Sequence, residues 1–315
     1  MNIAIFGGSG RVGQALIPAL MQRGHSVRAM QHRTKVPAGA QAVEGSITDP
    51  AAVARVIENA DVVLQMTMGG EGIRQAVETS VQGTITILDA VRSQPSIHQY
   101  LLTSSDAATG IWSHPQPEPI SHKTPPSSYP GYYSLGKVLE ETIIREYHRN
   151  YGVPYTIARL SWVQQEDSIL RQFVAGYDPK RPNRGPFDSD YSPALKQRLQ
   201  AGERFVVLPC DADGRPLRRT LVQREDVTAA LVAMIGDSRA LNETFHVSGP
   251  VFSYEEPCRY LAGRLNLPVE EVRLKAHSFE IDCSHTTHRL GWEPKYDVIA
   301  MVDAALEWRV MRNEY

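Results

Sequence analysis

The sequence has few cysteines, almost no net charge and no long hydrophobic run, and each absence excludes a class of protein. The three cysteines, Cys210, Cys258 and Cys283, are far apart and form no CxxC motif, which indicates free thiols in a reducing compartment. The 33 basic and 35 acidic residues leave a net charge of −2, so nothing favours nucleic acid or an anionic membrane surface as a partner. No apolar run approaches the roughly 18 residues of a membrane span. We therefore expect a cytoplasmic protein that binds neither nucleic acid nor membrane.

The opening residues, MNIAIFGG, also lack the basic segment of a signal peptide, and they predict a first strand instead. What is present is a chain of 315 residues, 42% of them hydrophobic, which is enough for a sizeable core in one large domain or two unequal ones. Short apolar segments alternate with amphipathic ones. The predicted strands cover 2–6, 25–30, 40–45, 61–66 and 98–105, and the predicted helices cover 11–24, 49–60 and 72–94. This alternation predicts βαβ units, a parallel sheet buried on both faces and a doubly wound α/β fold.

The second half of the chain is less regular. Residues 111–131 are rich in proline and serine, and they predict an unusually long loop, a kind of segment that is commonly functional. The later predicted elements are helices at 132–150, 224–235 and 297–310, strands at 154–160, 219–223 and 243–249, and an irregular stretch at 178–193. We expect residues 1–165 plus 220–249 to form a dinucleotide-binding domain. Residues 166–219 plus 250–315 would then form a smaller substrate-binding domain, with the site in the cleft between the two.

A glycine-rich loop joins the first predicted strand to the first predicted helix. Gly7, Gly10 and Gly13 have GxxGxxG spacing, and the strand before them and the helix after them are the context that makes such a motif credible. Glycines here allow a tight turn and a close approach of backbone to pyrophosphate, which the N–H groups of the helix N-terminus would face. The loop predicts a dinucleotide site of the Rossmann type, although an ordinary glycine-rich turn is the alternative.

The second strand lacks the acidic residue that usually binds the adenosine ribose. Gln31 stands in its place, followed by His32, Arg33 and Lys35. Cationic side chains would attract a 2′-phosphate, whereas an aspartate would repel it. This favours NADP over NAD, with Arg33 as the phosphate partner. The alternative is that these are solvated loop charges and the cofactor is NAD.

The segment YYSLGK places Tyr133 four residues before Lys137, so the two share a face if the segment is helical. Tyr132 at the same offset meets Gly136, which has no side chain. A free phenol has a pKa near 10, but a neighbouring ammonium favours the phenolate and suits the residue for proton transfer to a carbonyl or carbinol oxygen. A hydroxyl from Ser104 or Ser105, at the end of the fifth strand, could hydrogen-bond the same oxygen. Local turn bonds are the plainer interpretation of these serines.

Taken together, the chain resembles an extended short-chain dehydrogenase/reductase, of the NAD-dependent epimerase/dehydratase family. The matching stretches, in order, are IFGGSGRVG, VEGSITDP, ADVVLQM, VQGTITILDAV, LLTSS, YYSLGKVLEE, GVPYTIARLSWV, TLVQREDVTAALVAMI, ETFHVSG and LGWEPKYDVIAMVDAALEW. The resemblance places the catalytic Ser, Tyr and Lys at Ser105, Tyr133 and Lys137, and it implies that Lys137 also bonds the nicotinamide ribose. The cofactor contacts that it implies are Gly7, Gly10, Arg11, Val12, Gly13, Gln31, His32, Arg33, Ser46, Ile47, Met66, Lys137, Leu160 and Val163.

The departures from the family pattern narrow the function. Ser46 replaces an acid that usually contacts adenine, and Ser80 replaces an asparagine on the helix after the fourth strand. Ala107 replaces the glutamate of the Asp-Glu pair that dehydratases carry, which argues against 4,6-dehydration. The missing acid on the second strand weakens, without excluding, an epimerase that keeps NAD tightly bound.

We therefore predict an NAD(P)-dependent oxidoreductase that moves hydride between nicotinamide and a carbonyl or secondary alcohol. The alternatives are an NAD-dependent sugar or nucleotide-sugar epimerase and a non-catalytic NAD(P) sensor. The resemblance implies a small-molecule substrate and a homodimer formed through the helices at 72–94 and 132–150. The histidines at 285 and 288 are three residues apart and could chelate on a helix, but a solvated helix start is preferred, and we predict no metal.

Overall fold

A computed structural model describes residues 1–116 and 119–312 of the chain. Its strands are β1 (Asn2–Phe6), β2 (Ser26–Gln31), β3 (Gln41–Glu44), β4 (Val62–Gln65), β5 (Gln99–Ser105), β6 (Tyr155–Leu160), β7 (Val163–Gln164), β8 (Val174–Ala175), β9 (Phe205–Cys210), β10 (Arg218–Arg219), β11 (Val222–Gln223), β12 (Glu243–Val247), β13 (Phe252–Ser253) and β14 (Val269–Arg273). Its α-helices are α1 (Arg11–Gln22), α2 (Pro50–Ile57), α3 (Ile73–Ala76), α4 (Thr84–Arg92), α5 (Tyr132–Tyr151), α6 (Pro193–Gln200), α7 (Arg224–Met234), α8 (Glu255–Leu265), α9 (Ser284–Leu290) and α10 (Val298–Met311). Within these residues, no helix is both long and apolar enough to span a membrane.

Seven parallel strands form the central sheet in the order β12-β6-β5-β4-β1-β2-β3. Residues of β1 alternate between its two faces: Ile3 and Ile5 pack against α1 and α7, while Ala4 and Phe6 pack against α2 and α4. Strands β4, β5 and β6 are buried along their whole length, as expected for strands covered by helices on both faces. The sheet confirms the predicted doubly wound α/β fold. Its chain order reverses between β1 and β4, the position at which such sheets open a ligand crevice.

Two predicted elements are wrong in detail. The helix predicted at 72–94 is interrupted by a π-helical segment, Val77–Gly83, between α3 and α4. Such segments widen the helix by one residue and are frequent at functional sites. The strand predicted at 219–223 is two short strands, because β10 pairs antiparallel with β13 whereas β11 pairs in parallel with β7. Sequence periodicity does not report a change of partner within five residues.

A second hydrophobic core lies in the later part of the chain. Strands β8, β9 and β14 form a small sheet, and α8 and α10 pack around the buried rings of Phe173, Phe205 and Tyr254. Asp226, in the first turn of α7, accepts hydrogen bonds from the backbone N–H groups of Lys295 and Tyr296. It thereby ties the sheet to the C-terminal segment. The domain boundaries given above stay a prediction.

Candidate active site

The glycine loop lies at the switch point between β1 and β4. Gly7 has φ +85°, and a Cβ there would lie 2.6 Å from the Met66 carbonyl oxygen. A Cβ on Gly13 would lie 2.2 Å from the Gly8 carbonyl oxygen, so α1 can approach the loop only with glycine at this position. Gly10 is the N-cap of α1 and has no side chain there. The loop therefore leaves the first N–H groups of a 12-residue helix open to an anion.

Most of the other predicted cofactor contacts lie at or just beyond the carboxyl ends of strands in the central sheet. Ser46 and Ile47 follow β3, Met66 follows β4, Leu160 ends β6 and Val163 begins β7. The exceptions are Arg11 and Val12, because they are the first two residues of α1. Arg11 is exposed. Because carboxyl ends of parallel strands share one edge, the structure brings these positions to the same side of the sheet as the glycine loop.

The end of β2 carries unpaired cationic side chains. Gln31 ends the strand, and its Oε1 accepts a hydrogen bond from the Val36 N–H at 3.2 Å, so the amide shapes the turn that follows. His32, Arg33 and Lys35 are exposed on this turn. Neither Arg33 nor Lys35 forms an ion pair with any residue that the structure describes.

Tyr133 and Lys137 lie on one face of α5, as the spacing predicts, because the helix begins at Tyr132. Tyr133 is half-buried, whereas Tyr132 is 41% exposed and does not pack in the core. The Glu71 carboxylate accepts a hydrogen bond from the Tyr133 N–H at 3.4 Å and so caps the first turn of the helix from the loop after β4. Burial alone would lower the pKa of Lys137, but the negative charges of Glu140 and of an ionised Tyr133 outweigh it and raise that pKa.

Lys137 is held by protein acceptors on three sides. The residue is only 4% exposed. Its Nζ donates to the carbonyl oxygens of Thr67 and Thr103, each at 3.1 Å, and to Oε2 of Glu140 at 2.8 Å. Thr103 lies on β5 and Thr67 follows β4, so the ammonium joins α5 to the carboxyl edge of the sheet. Nothing in the sequence analysis singled out Glu140, although its position three residues after Lys137 places it on the same helical face.

The two serines at the end of β5 have different partners. The Ser104 hydroxyl donates to the Glu141 carboxylate at 2.6 Å and belongs to a buried ion-pair network. The Ser105 hydroxyl accepts from the Ala107 N–H at 3.1 Å and donates to Oδ1 of Asp106 at 3.0 Å. Burial raises the pKa of Asp106, whose other oxygen accepts from Ser161 at 2.9 Å. Ser105 therefore makes the local turn bonds of the plainer interpretation, and of the two serines it is the one whose hydroxyl lies outside the Glu141 ion-pair network.

A cleft of about 410 Å³ opens between the start of α1 and the irregular segment of the second core. Arg11, Trp162, Arg171, Tyr177 and Phe187 are among its lining residues. The basic stretch at 178–184 contributes to this lining, and its two arginines are already paired. Arg181 lies 3.1 Å from Asp178, and Arg184 lies 3.0 Å from Asp188.

Arg219 is a buried cation in the later part of the chain. Its guanidinium lies 4.7 Å from the ring centres of both Trp112 and Trp162 and donates to the Tyr254 hydroxyl at 2.6 Å. Its positive charge also acts on Asp106, where it opposes the effect of burial on the pKa. The aromatic partners come from three distant parts of the chain, so no local pattern could have revealed this arrangement.

Of the histidines at 285 and 288, His285 takes part in side-chain contacts, and His288 is exposed. His285 lies on α9, stacks on His122 with ring centres 3.8 Å apart, and lies 3.3 Å from the Glu243 carboxylate. Burial and the neighbouring His285 lower the pKa of His122. Among residues 1–116 and 119–312, no group of three or more His, Cys, Asp or Glu side chains is arranged to hold a metal.

Comparison with known proteins agrees with the fold and the motifs. The model of the NAD dependent epimerase/dehydratase family matches residues 3–248. UDP-glucose 4-epimerase of Streptococcus mutans is 26% identical over 97% of this chain and 95% of its own length. dTDP-glucose 4,6-dehydratase of Xanthomonas campestris is 24% identical over 84% of this chain and 78% of its own length.

A solved structure of a short-chain dehydrogenase/reductase superfamily protein from Agrobacterium tumefaciens, with bound NAD, has a TM-score of 0.86 at 22% identity. The match spans 99% of this chain and 98% of the chain in that structure. The likeness supports the same fold from end to end. Because the family model covers most of the chain, the protein belongs to the NAD dependent epimerase/dehydratase family and is an NAD(P)-dependent enzyme of the extended short-chain dehydrogenase/reductase type, as its motifs predict.

Proposed function

We propose that the protein is an NAD(P)-dependent oxidoreductase acting on a carbonyl or secondary alcohol at a Ser105, Tyr133 and Lys137 site. The observation that carries the proposal is the buried Lys137 ammonium beside Tyr133 on α5, at the carboxyl edge of the sheet where Ser105 ends β5. When bound, the nicotinamide supplies or accepts the hydride at the substrate carbon. The residues of the chain manage the proton and the charge on the substrate oxygen.

In the reduction direction, Tyr133 donates its phenolic proton to the carbonyl oxygen as the carbon–hydrogen bond forms. The Lys137 charge stabilises the phenolate left behind. Ser105 orients the substrate oxygen, which replaces Asp106 as the acceptor of the Ser105 hydrogen, while the Ala107 N–H keeps the hydroxyl oxygen in place. In alcohol oxidation the same proton moves the other way.

The names of the relatives favour a sugar or nucleotide sugar as substrate, with other alcohols and ketones as further candidates. A screen of such compounds, coupled to oxidation or reduction of the cofactor, tests the proposal. Turnover of a carbonyl compound with stoichiometric loss of reduced cofactor would support it. A protein purified with NAD that does not exchange, and that converts one sugar into its epimer, would instead establish the epimerase alternative. Absence of any turnover together with nucleotide-dependent binding of another protein would favour the sensor.

We further propose NADP as the preferred cofactor, because Arg33 and Lys35 are exposed and form no ion pair with the residues that the structure describes. They follow Gln31, which stands where an acid would repel a 2′-phosphate. NAD is the alternative, and it is the ligand of the Agrobacterium tumefaciens structure. We expect NADPH to bind more tightly than NADH. Arg33→Ala should weaken NADPH binding about tenfold, the effect of losing one charge-assisted hydrogen bond, and leave NADH binding unchanged.

Fluorescence titration of both cofactors measures these affinities. Arg23→Ala is the matched control, since Arg23 is exposed at the other end of α1 and its guanidinium donates to the Ala19 carbonyl oxygen. NADH binding as tight as NADPH binding, or an Arg33→Ala variant with undiminished NADPH affinity, would overturn the preference for NADP.

We also propose a homodimer formed through residues 72–94, which contain α3, the π-helical segment and α4, and through α5. Large apolar side chains are exposed on these elements: Ile73 is 60% exposed, Val77 52%, Ile85 37% and Leu135 42%. Val77→Lys should therefore convert the dimer to monomer, since it places a charge in the apolar contact. Analytical ultracentrifugation measures the mass, with Val310→Lys on α10 as the control at a similar exposure of 54%. A wild-type monomer would refute the proposal, as would equal effects of the two variants.

We also propose that the protein is cytoplasmic. All three cysteines are free thiols in the structure, and two of them, Cys210 and Cys258, are buried. This is the cysteine usage of a reducing compartment.

A further inference from the structure

A buried carboxylate lies directly beneath the proposed catalytic lysine. Glu140 has no exposed surface, and its Oε2 accepts from Nζ of Lys137 at 2.8 Å. Its other oxygen, Oε1, is buried and has no hydrogen-bond partner among the residues described. Burial raises the pKa of Glu140, and the Lys137 ammonium and the nearby Ser80 hydroxyl act in the opposite direction. A buried, half-satisfied carboxylate is costly and calls for a functional explanation.

The contacts around Lys137 show what this carboxylate does. An ammonium has three N–H donors, and here they meet Thr67, Thr103 and Glu140. Among the described residues, only Glu140 supplies a negative charge at hydrogen-bond distance. The two carbonyl oxygens hold the ammonium without neutralising its charge. The negative charge of Glu140 therefore cancels part of the field that the Lys137 ammonium exerts on Tyr133.

The packing around Glu140 fixes its position. Adding a Cβ to Gly136 would place it 2.7 Å from the Ser80 hydroxyl, which lies on the π-helical segment, so α5 and this segment are in close contact. Tyr133 and Glu141 on α5 act electrostatically on Lys137, and Tyr100 on β5 and Glu141 interact with Glu140. The charges of Tyr133, Asp106 and Glu71 act on Tyr129, which precedes α5. In the part of the chain that the structure describes, none of these groups is ion-paired with Lys137.

We propose that Glu140 is a positioning residue for the proposed reaction: it fixes the Lys137 ammonium beneath Tyr133 and sets the pH at which the Lys137–Tyr133 pair releases its first proton. This inference rests on the proposed function. Proton release is a property of the pair, because the two groups interact and share one macroscopic titration. When Glu140 is ionised, its negative charge balances the positive charge of the fully protonated Lys137–Tyr133 pair. Without that negative charge the pair carries a net positive charge and releases its proton more readily.

Replacement of Glu140 should move the pH of proton release in a defined direction. Glu140→Gln removes a negative charge and keeps the shape of the side chain, so the midpoint of proton release should move to lower pH by roughly one unit or more, about tenfold in proton affinity. Glu140→Asp keeps the charge on a shorter side chain and should restore the wild-type midpoint in large part. Glu78→Gln is the control, because the Glu78 side chain is 46% exposed and its ion pair with Arg74 lies on the surface.

The titration needs no substrate. Ultraviolet absorbance of tyrosinate is followed against pH for the purified protein, and the trace of a Tyr133→Phe protein is subtracted in each Glu140 background, which also removes the contribution of Tyr100. A lower midpoint in Glu140→Gln, with Glu78→Gln unchanged, supports the proposal. A midpoint that does not move, or that moves equally in both variants, overturns it. Should Glu140→Gln not fold, Glu140→Met, which also removes the charge and has a similar volume, takes its place: a lower midpoint supports the proposal and an unchanged midpoint overturns it.

The pH profile of kcat supplies a second readout once a substrate is known. For alcohol oxidation, Glu140→Gln should move the acidic limb of the kcat pH profile to lower pH by the same interval. The KM for the substrate should change little. A uniform loss of rate at all pH values, which a merely structural residue would cause, contradicts the positioning role. Full activity of Tyr133→Phe would refute the proposed function. In that case, the shift in the titration still tests the electrostatic part of the inference.

Discussion

Tyr133→Phe is expected to lower kcat for carbonyl reduction by ~10²–10⁴-fold, the usual contribution of a positioned general acid. The substitution removes one hydroxyl from a half-buried ring and leaves α5 intact. Binding of the cofactor should be unchanged, because the phenol is assigned to the substrate oxygen. The measurement is a steady-state assay on the substrate found in the screen, with cofactor affinity determined in parallel.

Tyr132→Phe is a closely matched control for this prediction. It removes the same atom from the adjacent residue, which is 41% exposed and has no lysine one turn later. We expect it to retain wild-type activity. Equal losses in the two variants would show that the tyrosines act on the helix rather than on the substrate, and full activity of Tyr133→Phe would end the catalytic assignment.

Glu141→Gln is expected to lower the free energy of unfolding by about 3–5 kcal/mol, the cost of leaving a buried charge without its partner. Both oxygens of Glu141 bind the guanidinium of Arg159 at 2.9 Å, and both residues are at most 1% exposed. Ser104 donates to the same carboxylate at 2.6 Å. The pair joins α5 to β6, so its loss should loosen the helix that carries the proposed site.

Urea unfolding measures this change in free energy. Glu146→Gln is the control on the same helix, since Glu146 pairs with Arg149 on the surface at 3.0 Å and should contribute little. Unfolding free energies that fall equally in the two variants would contradict the assignment of Glu141 to a buried structural pair.

The same ion pair predicts a dependence of stability on pH. Burial would raise the pKa of Glu141, but the Arg159 guanidinium and the Ser104 hydroxyl outweigh it and lower that pKa below its ordinary value. A carboxyl whose pKa is lowered by folding stabilises the protein above its unfolded pKa, about 4.3, and this stabilisation is lost as the pH falls through the folded value. The gap in stability between wild type and Glu141→Gln should therefore be full at neutral pH and narrow in acid.

Local patterns were enough to predict the frame of the site. The glycine spacing after an apolar run predicted the loop at Gly7, and the four-residue interval placed Tyr133 and Lys137 on one helical face. Both depend only on backbone geometry within one or two turns of chain. The alternation of strands and helices likewise predicted the parallel sheet, because each βαβ unit is short and right-handed.

What the sequence could not reveal depends on contacts between distant segments. The partners of Lys137 come from β5, from α5 and from the residues after β4, and the rings around Arg219 come from three separate regions. Glu140 is only three residues from Lys137, yet the π-helical segment that carries the neighbouring Ser80 has no periodic signature of its own. Tertiary packing thus decides which polar side chains near Tyr133 are charged, paired or free.

The most direct test of the account is a crystal structure of the protein with its oxidised cofactor. We predict a dinucleotide that lies across the glycine loop, with its adenosine end beside Arg33 and C4 of the nicotinamide facing the space between the Tyr133 and Ser105 hydroxyls. A nicotinamide directed away from Tyr133, or a dinucleotide bound at another part of the chain, would contradict the assignment of hydride transfer to this site.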